Sequence, residues 1–150
     1  AYEIGFGDWS ADVCSSDLAC DAVCTDIATA VSLNGNLPSF AELTGIVQPE
    51  VRNAMHEPGG SASGASHGYR FLFFAQSGGD STCGILAYPL RYNREGTKLF
   101  YRSVGTGGTT GRWTADPNDL DWGVQDGDAL EGFLYDAAPS QKELSLWTRN

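Results

Sequence analysis

The residues able to do chemistry are few and widely spaced. Four cysteines and two histidines stand in a chain with nineteen acidic residues. A structural zinc site takes clustered thiolates and imidazoles, usually from a C-x-x-C pair. Cys20 and Cys24 have three residues between them, and His56 and His67 are isolated, so no zinc centre is expected. On a helix, Cys20 and Cys24 point the same way one turn apart, a poor geometry for bonding each other. Either could pair with Cys83 as the one disulfide of a secreted domain, or both could remain small buried thiols. His56 falls at the end of a predicted helix and His67 at the start of a predicted strand, which are structural positions. There is no G-x-S-x-G elbow. The carboxylates show no spacing that selects an acid–base pair. No enzymatic activity is expected.

One acidic stretch stands apart. Asp116, Asp119, Asp121, Asp126 and Asp128 lie on a glycine-containing segment of the kind whose oxygens suit calcium. The EF-hand register fails: counted from Asp119, Val124 stands where glycine is required and Leu130 where glutamate is required. The segment is either a calcium loop of another kind or a solvated acidic loop. Trp113, Trp122 and Trp147 are the aromatic candidates for stacking on a sugar or a protein, if exposed. The glycine-rich run Gly105–Gly111 fits no dinucleotide fingerprint and carries no lysine for phosphate, so it reads as a flexible turn.

Composition sets the frame for these residues. The formal net charge is −10, which repels a phosphate backbone and an anionic membrane surface alike, so nucleic acid is not an expected partner. At 150 residues and 41% hydrophobic content, the chain has the makings of one domain with its own core. Nineteen glycines and a single methionine favour strands and turns over a helical bundle.

The elements that must position these residues follow from periodicity. Cys20, Val23, Cys24, Ile27, Ala30 and Val31 form one apolar stripe of a helix over 19–33, closed by Asn34-Gly35-Asn36. Ser39 and Glu42 have capping-box spacing and predict a short helix ending at Gly45. Pro49 opens another short helix through Met55, and 57–66 is a Gly/Ser/Ala loop. Three aromatic or β-branched runs follow at short spacing, 69–75, 83–88 and 98–104, and predict an antiparallel meander. Arg112 to Ala115 is a candidate fourth strand. In the first run Tyr69, Phe71, Phe73 and Ala75 share one face, and Arg70, Leu72 and Phe74 the other. Both faces are largely apolar. One is expected to receive the helix, and the other needs the C-terminal region or a neighbouring subunit. The fold class is α+β: an N-terminal amphipathic helix on a three- to four-stranded antiparallel meander, with an irregular acidic C-terminal region.

Asp12-Val13-Cys14-Ser15-Ser16-Asp17-Leu18, back-translated, resembles a widely used short-read sequencing adapter; the alternative is a natural Cys-Ser-Ser loop. On the adapter reading residues 1–18 are foreign to the natural protein, Trp9 and Cys14 carry no function, and a single domain occupies 19–150. The parent nucleotide sequence decides this, since different codons there end the idea.

The order of features from about 22 to 104 resembles the globular part of bacterial type IV pilin-like proteins and pseudopilins. The resemblance rests on a helix ending in Asn34-Gly35-Asn36-Leu37-Pro38-Ser39, with Leu43 after it. It continues with Gly68-Tyr69-Arg70-Phe71, then Ala87-Tyr88-Pro89, then Gly96 to Tyr101. It implies a filament subunit of a pilus or a secretion-system pseudopilus, in the cell envelope or outside the cell. The partners would be other pilin-like subunits, and membrane contact would pass only through an upstream hydrophobic helix. Major pseudopilins also carry a C-terminal calcium site, which adds interest to Asp116–Asp128 without assigning ligands. The alternative is a secreted binding or adhesion module that uses the three tryptophans.

Overall fold

The computed structural model describes residues 5–76 and 81–149, with side chains from residue 17 onward. The side chains of Trp9 and Cys14 and residues 77–80 lie outside the described residues. Helix α1 runs Gly5–Asn34 without a break, so the adapter-like stretch is helical and continuous with the predicted helix. It stops where glycine allows a left-handed residue: Gly35 has φ 79° and its N–H closes on the Val31 carbonyl at 2.7 Å. Helix α2 (Phe40–Thr44) carries the full capping box, with Glu42 N–H donating to Ser39 Oγ at 3.2 Å and Ser39 N–H donating to Glu42 Oε1 at 2.8 Å.

Helix α3 spans only Pro49–Arg52. The chain then becomes a two-residue strand, β1 (Met55–His56), which pairs in parallel with β2 (Tyr69–Phe74). His56 is therefore a buried strand residue, not a helix terminus. Two residues are too few to show an alternation, so nothing in the sequence separated β1 from the helix before it. β3 (Thr82–Pro89), β4 (Leu99–Gly105) and β5 (Gly108–Ala115) continue antiparallel, and β6 (Thr148–Arg149) closes the far edge. The sheet has six strands in sequence order, mostly antiparallel, rather than the three or four of the meander alone.

The run Gly105–Gly111 is not a flexible loop. It is the tight β4–β5 hairpin, turned at Thr106-Gly107, with Gly108 at φ 115° and a register shift between Ser103 and Val104. Arg112–Ala115, the candidate fourth strand, is the second half of β5; glycine and threonine carry no alternation of polarity, which hid its first half. Gly111 has a packing reason as well: a Cβ there would meet the Trp113 ring at 2.2 Å.

The two faces of the sheet build two cores. Against α1, Val23, Ile27 and Val31 pack on Phe71, Phe73 and Ile85. On the other face Leu72, Leu86, Tyr101 and Trp113 are covered by Leu120, Val124, Leu130 and Trp147. The division of β2 is the one its alternation predicts. Its second face is covered by the chain's own C-terminal region, which holds two 3₁₀ turns (Pro117–Leu120 and Leu130–Phe133) and helix α4 (Gln141–Leu144). Each large apolar side chain buried this way contributes about 1.5–3 kcal/mol.

Candidate functional site

Three groups of chemistry-bearing side chains form, and one helix face remains outside them. The first group lies between α1 and the sheet. Cys20, Cys24 and Cys83 are buried there as free thiols in the same core cluster. The disulfide between Cys83 and Cys20 or Cys24 is thus not formed in this structure. Burial pushes the Cys24 thiol up to about 12 and the Cys83 thiol up to about 11. The thiolate is the reactive form, so these are inert packing thiols in the folded state.

Beside them sits an ion-pair cluster that the sequence did not suggest. Arg102 occupies an inward position of β4 between Phe100 and Val104 and is fully buried. Its Nε donates to Asp21 Oδ1 at 3.0 Å, one Nη donates to Asp17, and the other donates to the Tyr101 carbonyl at 3.2 Å. Arg112, its cross-strand neighbour, donates to Asp21 Oδ2 at 3.0 Å. Burial, with the adjacent Arg112 charge, lowers Arg102 to about 10. The missed signal was an arginine in the apolar phase of a strand together with two aspartates at i, i+4 spacing on the helix.

The second group crosses the other face at the β1 edge. His56 Nε2 lies 2.6 Å from the Tyr88 hydroxyl, and the two rings meet edge to face. The Tyr88 hydroxyl lies 3.3 Å from Glu131 Oε2, which Arg70 holds at 2.7 Å. Arg70 Nε also donates to the Gly64 carbonyl at 2.9 Å. Burial, then the Glu131 charge, pushes the Tyr88 phenol well above its ordinary range.

The third group is the acidic segment. Asp116 caps the first 3₁₀ turn, accepting from Asn118 N–H at 3.0 Å and from the Tyr92 hydroxyl at 2.8 Å. Asp128 accepts from Gln125 N–H at 3.0 Å. Asp121 sits in the left-handed region at φ 61°, and Asp119, Asp121 and Asp126 are exposed. Asn118 bonds Val124 through both its N–H and its carbonyl, at 3.0 Å each. These carboxylates and amides shape turns. The five aspartates are not gathered on one point: among the described residues, no three His, Cys, Asp or Glu side chains form a group that could hold a metal ion.

The tryptophans divide. Trp113 and Trp147 are buried in the second core, which removes them as exposed binding residues. Trp122 is half-buried, its ring stacked on Phe133 at 6.3 Å and meeting Tyr135 edge-on. No protein-family model, curated protein or solved structure matches this chain.

The remaining feature is the outward face of α1. Leu18, Ala22, Thr25, Thr29 and Leu33 are exposed at helical spacing, Leu18 at 66% and Leu33 at 79%. The two threonine hydroxyls donate to the helix's own backbone, to the Asp21 carbonyl at 3.2 Å and the Thr25 carbonyl at 3.0 Å. Their polar atoms are thereby engaged within the helix. The stripe itself carries no charge, and the half-buried Asp26, one turn beyond Ala22, borders it. Among the described residues no helix is long and apolar enough to cross a membrane.

Proposed function

We propose that the chain is the globular domain of a pilin-like filament subunit, serving as a structural part of a type IV pilus or secretion-system pseudopilus in the cell envelope. The observation that supports this best is the outward stripe of α1. In a chain of net charge −10, a solvent-facing helix surface would normally carry charge. A stripe of Leu, Ala and Thr, bordered by Asp26, lets copies of one acidic protein approach with less repulsion than a charged face would impose. The order of helix, capped turn and antiparallel sheet supports the same reading. The function is then mechanical and not enzymatic.

The experiment is fractionation of the cells that make the protein. Antibodies raised against this domain should label filaments sheared from the surface. Thr29→Arg should lower the sheared fraction several-fold while leaving the melting temperature of the domain unchanged. Recovery of the protein only as a free secreted monomer overturns the reading.

A further inference from the structure

The second face of the sheet changes character toward one end. On β3 that face runs Leu86, Gly84, Thr82, and on β4 it runs Tyr101, Ser103. The apolar core gives way there to glycine and hydroxyls. Gly84 leaves room, since a Cβ on it would collide with the Tyr101 hydroxyl. The segment 136–141, which leads into α4, borders this end of the sheet without filling it. One cleft, of about 180 Å³, has Pro58 and Phe74 as apolar wall and Asp136 as its one charged side chain. The other, of about 360 Å³, is lined by Ser103 and Ser140 among others. Thr82 and Tyr101 line both, so the two form one groove, and the larger part alone reaches the size of small-ligand sites.

Tyr101 sets the chemistry. It is only 3% exposed, yet among the described residues its hydroxyl has no hydrogen-bond partner. A buried hydroxyl is normally paired, and the other buried tyrosines are paired within the chain. Tyr69 donates to the Lys98 carbonyl at 3.0 Å, Tyr88 to Glu131 at 3.3 Å and Tyr92 to Asp116 at 2.8 Å. Burial pushes the Tyr101 phenol well above its ordinary range, so it stays protonated and able to donate. Two more donors line the groove. Ser103 Oγ accepts from the Thr110 hydroxyl at 3.0 Å and Ser140 Oγ from the Glu143 N–H at 3.2 Å, which leaves each serine its own O–H. Asp136 is exposed and supplies an acceptor. No cationic side chain lines the groove, which disfavours an anionic ligand, and its hydroxyls disfavour a wholly apolar one. A neutral polyhydroxyl ring meets both conditions, because it accepts from hydroxyls and donates to a carboxylate.

We propose that this groove binds a neutral saccharide unit: the Tyr101, Ser103 and Ser140 hydroxyls donate to its oxygens, Asp136 accepts from one of its hydroxyls, and Phe74 lies against its apolar side. The site is independent of the filament reading.

The test is titration of the intact, nitrogen-15-labelled chain with D-glucose, D-galactose and N-acetyl-D-glucosamine, each to about 50 mM, followed in amide spectra. At least one sugar should shift the amides of Thr82, Ser103 and Ala138, with a millimolar Kd. Tyr101→Phe keeps the ring and removes the unpaired hydroxyl. It should weaken that sugar roughly tenfold while lowering the melting temperature by no more than about 2 °C, because no bond inside the chain is lost. Asp136→Asn, at an exposed position, should weaken the same sugar several-fold. No shifts with any of the three sugars overturns the site, as does an affinity that Tyr101→Phe leaves unaltered. A larger fall in the melting temperature of Tyr101→Phe also overturns it, since the hydroxyl would then have a partner inside the fold. Shifts at these residues with the tripeptide Gly-Ser-Gly and with no sugar overturn the saccharide assignment in favour of a peptide.

Discussion

Arg102 is the residue that most constrains its neighbours. A fully buried guanidinium is tolerable only while its donors are engaged, and Asp17 and Asp21 are about a third exposed. Asp21→Asn leaves Arg102 with Asp17 as its one carboxylate partner, beside the Tyr101 carbonyl, and weakens the hold on Arg112. It should cost about 1–3 kcal/mol in urea unfolding, reduced from the value for a wholly buried pair by solvent screening. Arg102→Met removes the charge along with its need for partners and should cost less than Asp21→Asn. The same interface makes a prediction about reactivity. Cys24 and Cys83 are pushed up to about 12 and about 11, so at pH 8 almost none of either is thiolate. Iodoacetamide should label Cys20, Cys24 and Cys83 far more slowly in the folded chain than in urea, as read by intact mass. The folded rate should climb as pH is raised toward those values. Prompt labelling of Cys24 at pH 8 would show that the helix–sheet interface opens.

At the scale of elements, the C-terminal region is as much a part of the core as α1. Trp147 reaches the second face beside Trp113 and Tyr101, with ring centroids of Trp147 and Tyr101 6.3 Å apart. Trp147→Ala should cost about 3–5 kcal/mol and expose dye-binding apolar surface, measured by denaturation and fluorescence. Gly84→Ala tests the sheet from within, because a Cβ there would lie 2.2 Å from the Tyr101 hydroxyl; a loss of about 1–3 kcal/mol is expected. The elements with a period of their own were legible in the sequence: the stripe of α1, the capping box of α2, and the alternation that splits β2 between two cores. Elements defined by a partner were not. β1 and β6 are two residues each and exist only through β2 and β5. The first half of the Gly/Thr hairpin shows no alternation of polarity, and of its glycines Gly111 is the one that makes room for Trp113. The polar groups escaped for the same reason. His56, Tyr88 and Glu131 are far apart in sequence, and only the sheet register and the returning C-terminal chain bring them into line.

At the scale of the whole molecule, the closure of both sheet faces decides where a neighbour can attach. Before the fold was known, the second face of β2 could equally have been completed by another subunit. Leu120, Val124, Leu130 and Trp147 of the same chain now fill it. The proposed self-association uses the outward stripe of α1, which holds Leu18 and Leu33, the two most exposed large apolar side chains among the described residues. At low ionic strength, long-range repulsion between chains of charge −10 should outweigh so narrow a contact, and light scattering should report a monomer of 16.0 kDa. At 0.5 M salt the screening length falls to about 4–5 Å, repulsion between exposed carboxylates fades, and burial of Leu18 and Leu33 is barely affected. Association should then rise with salt, the opposite of what an ion-paired interface would do. Leu33→Glu should abolish the rise while changing stability by less than about 0.5 kcal/mol, since the side chain is exposed in the monomer. Salt-driven association that survives Leu33→Glu would move the interface off the helix and weaken the filament reading with it.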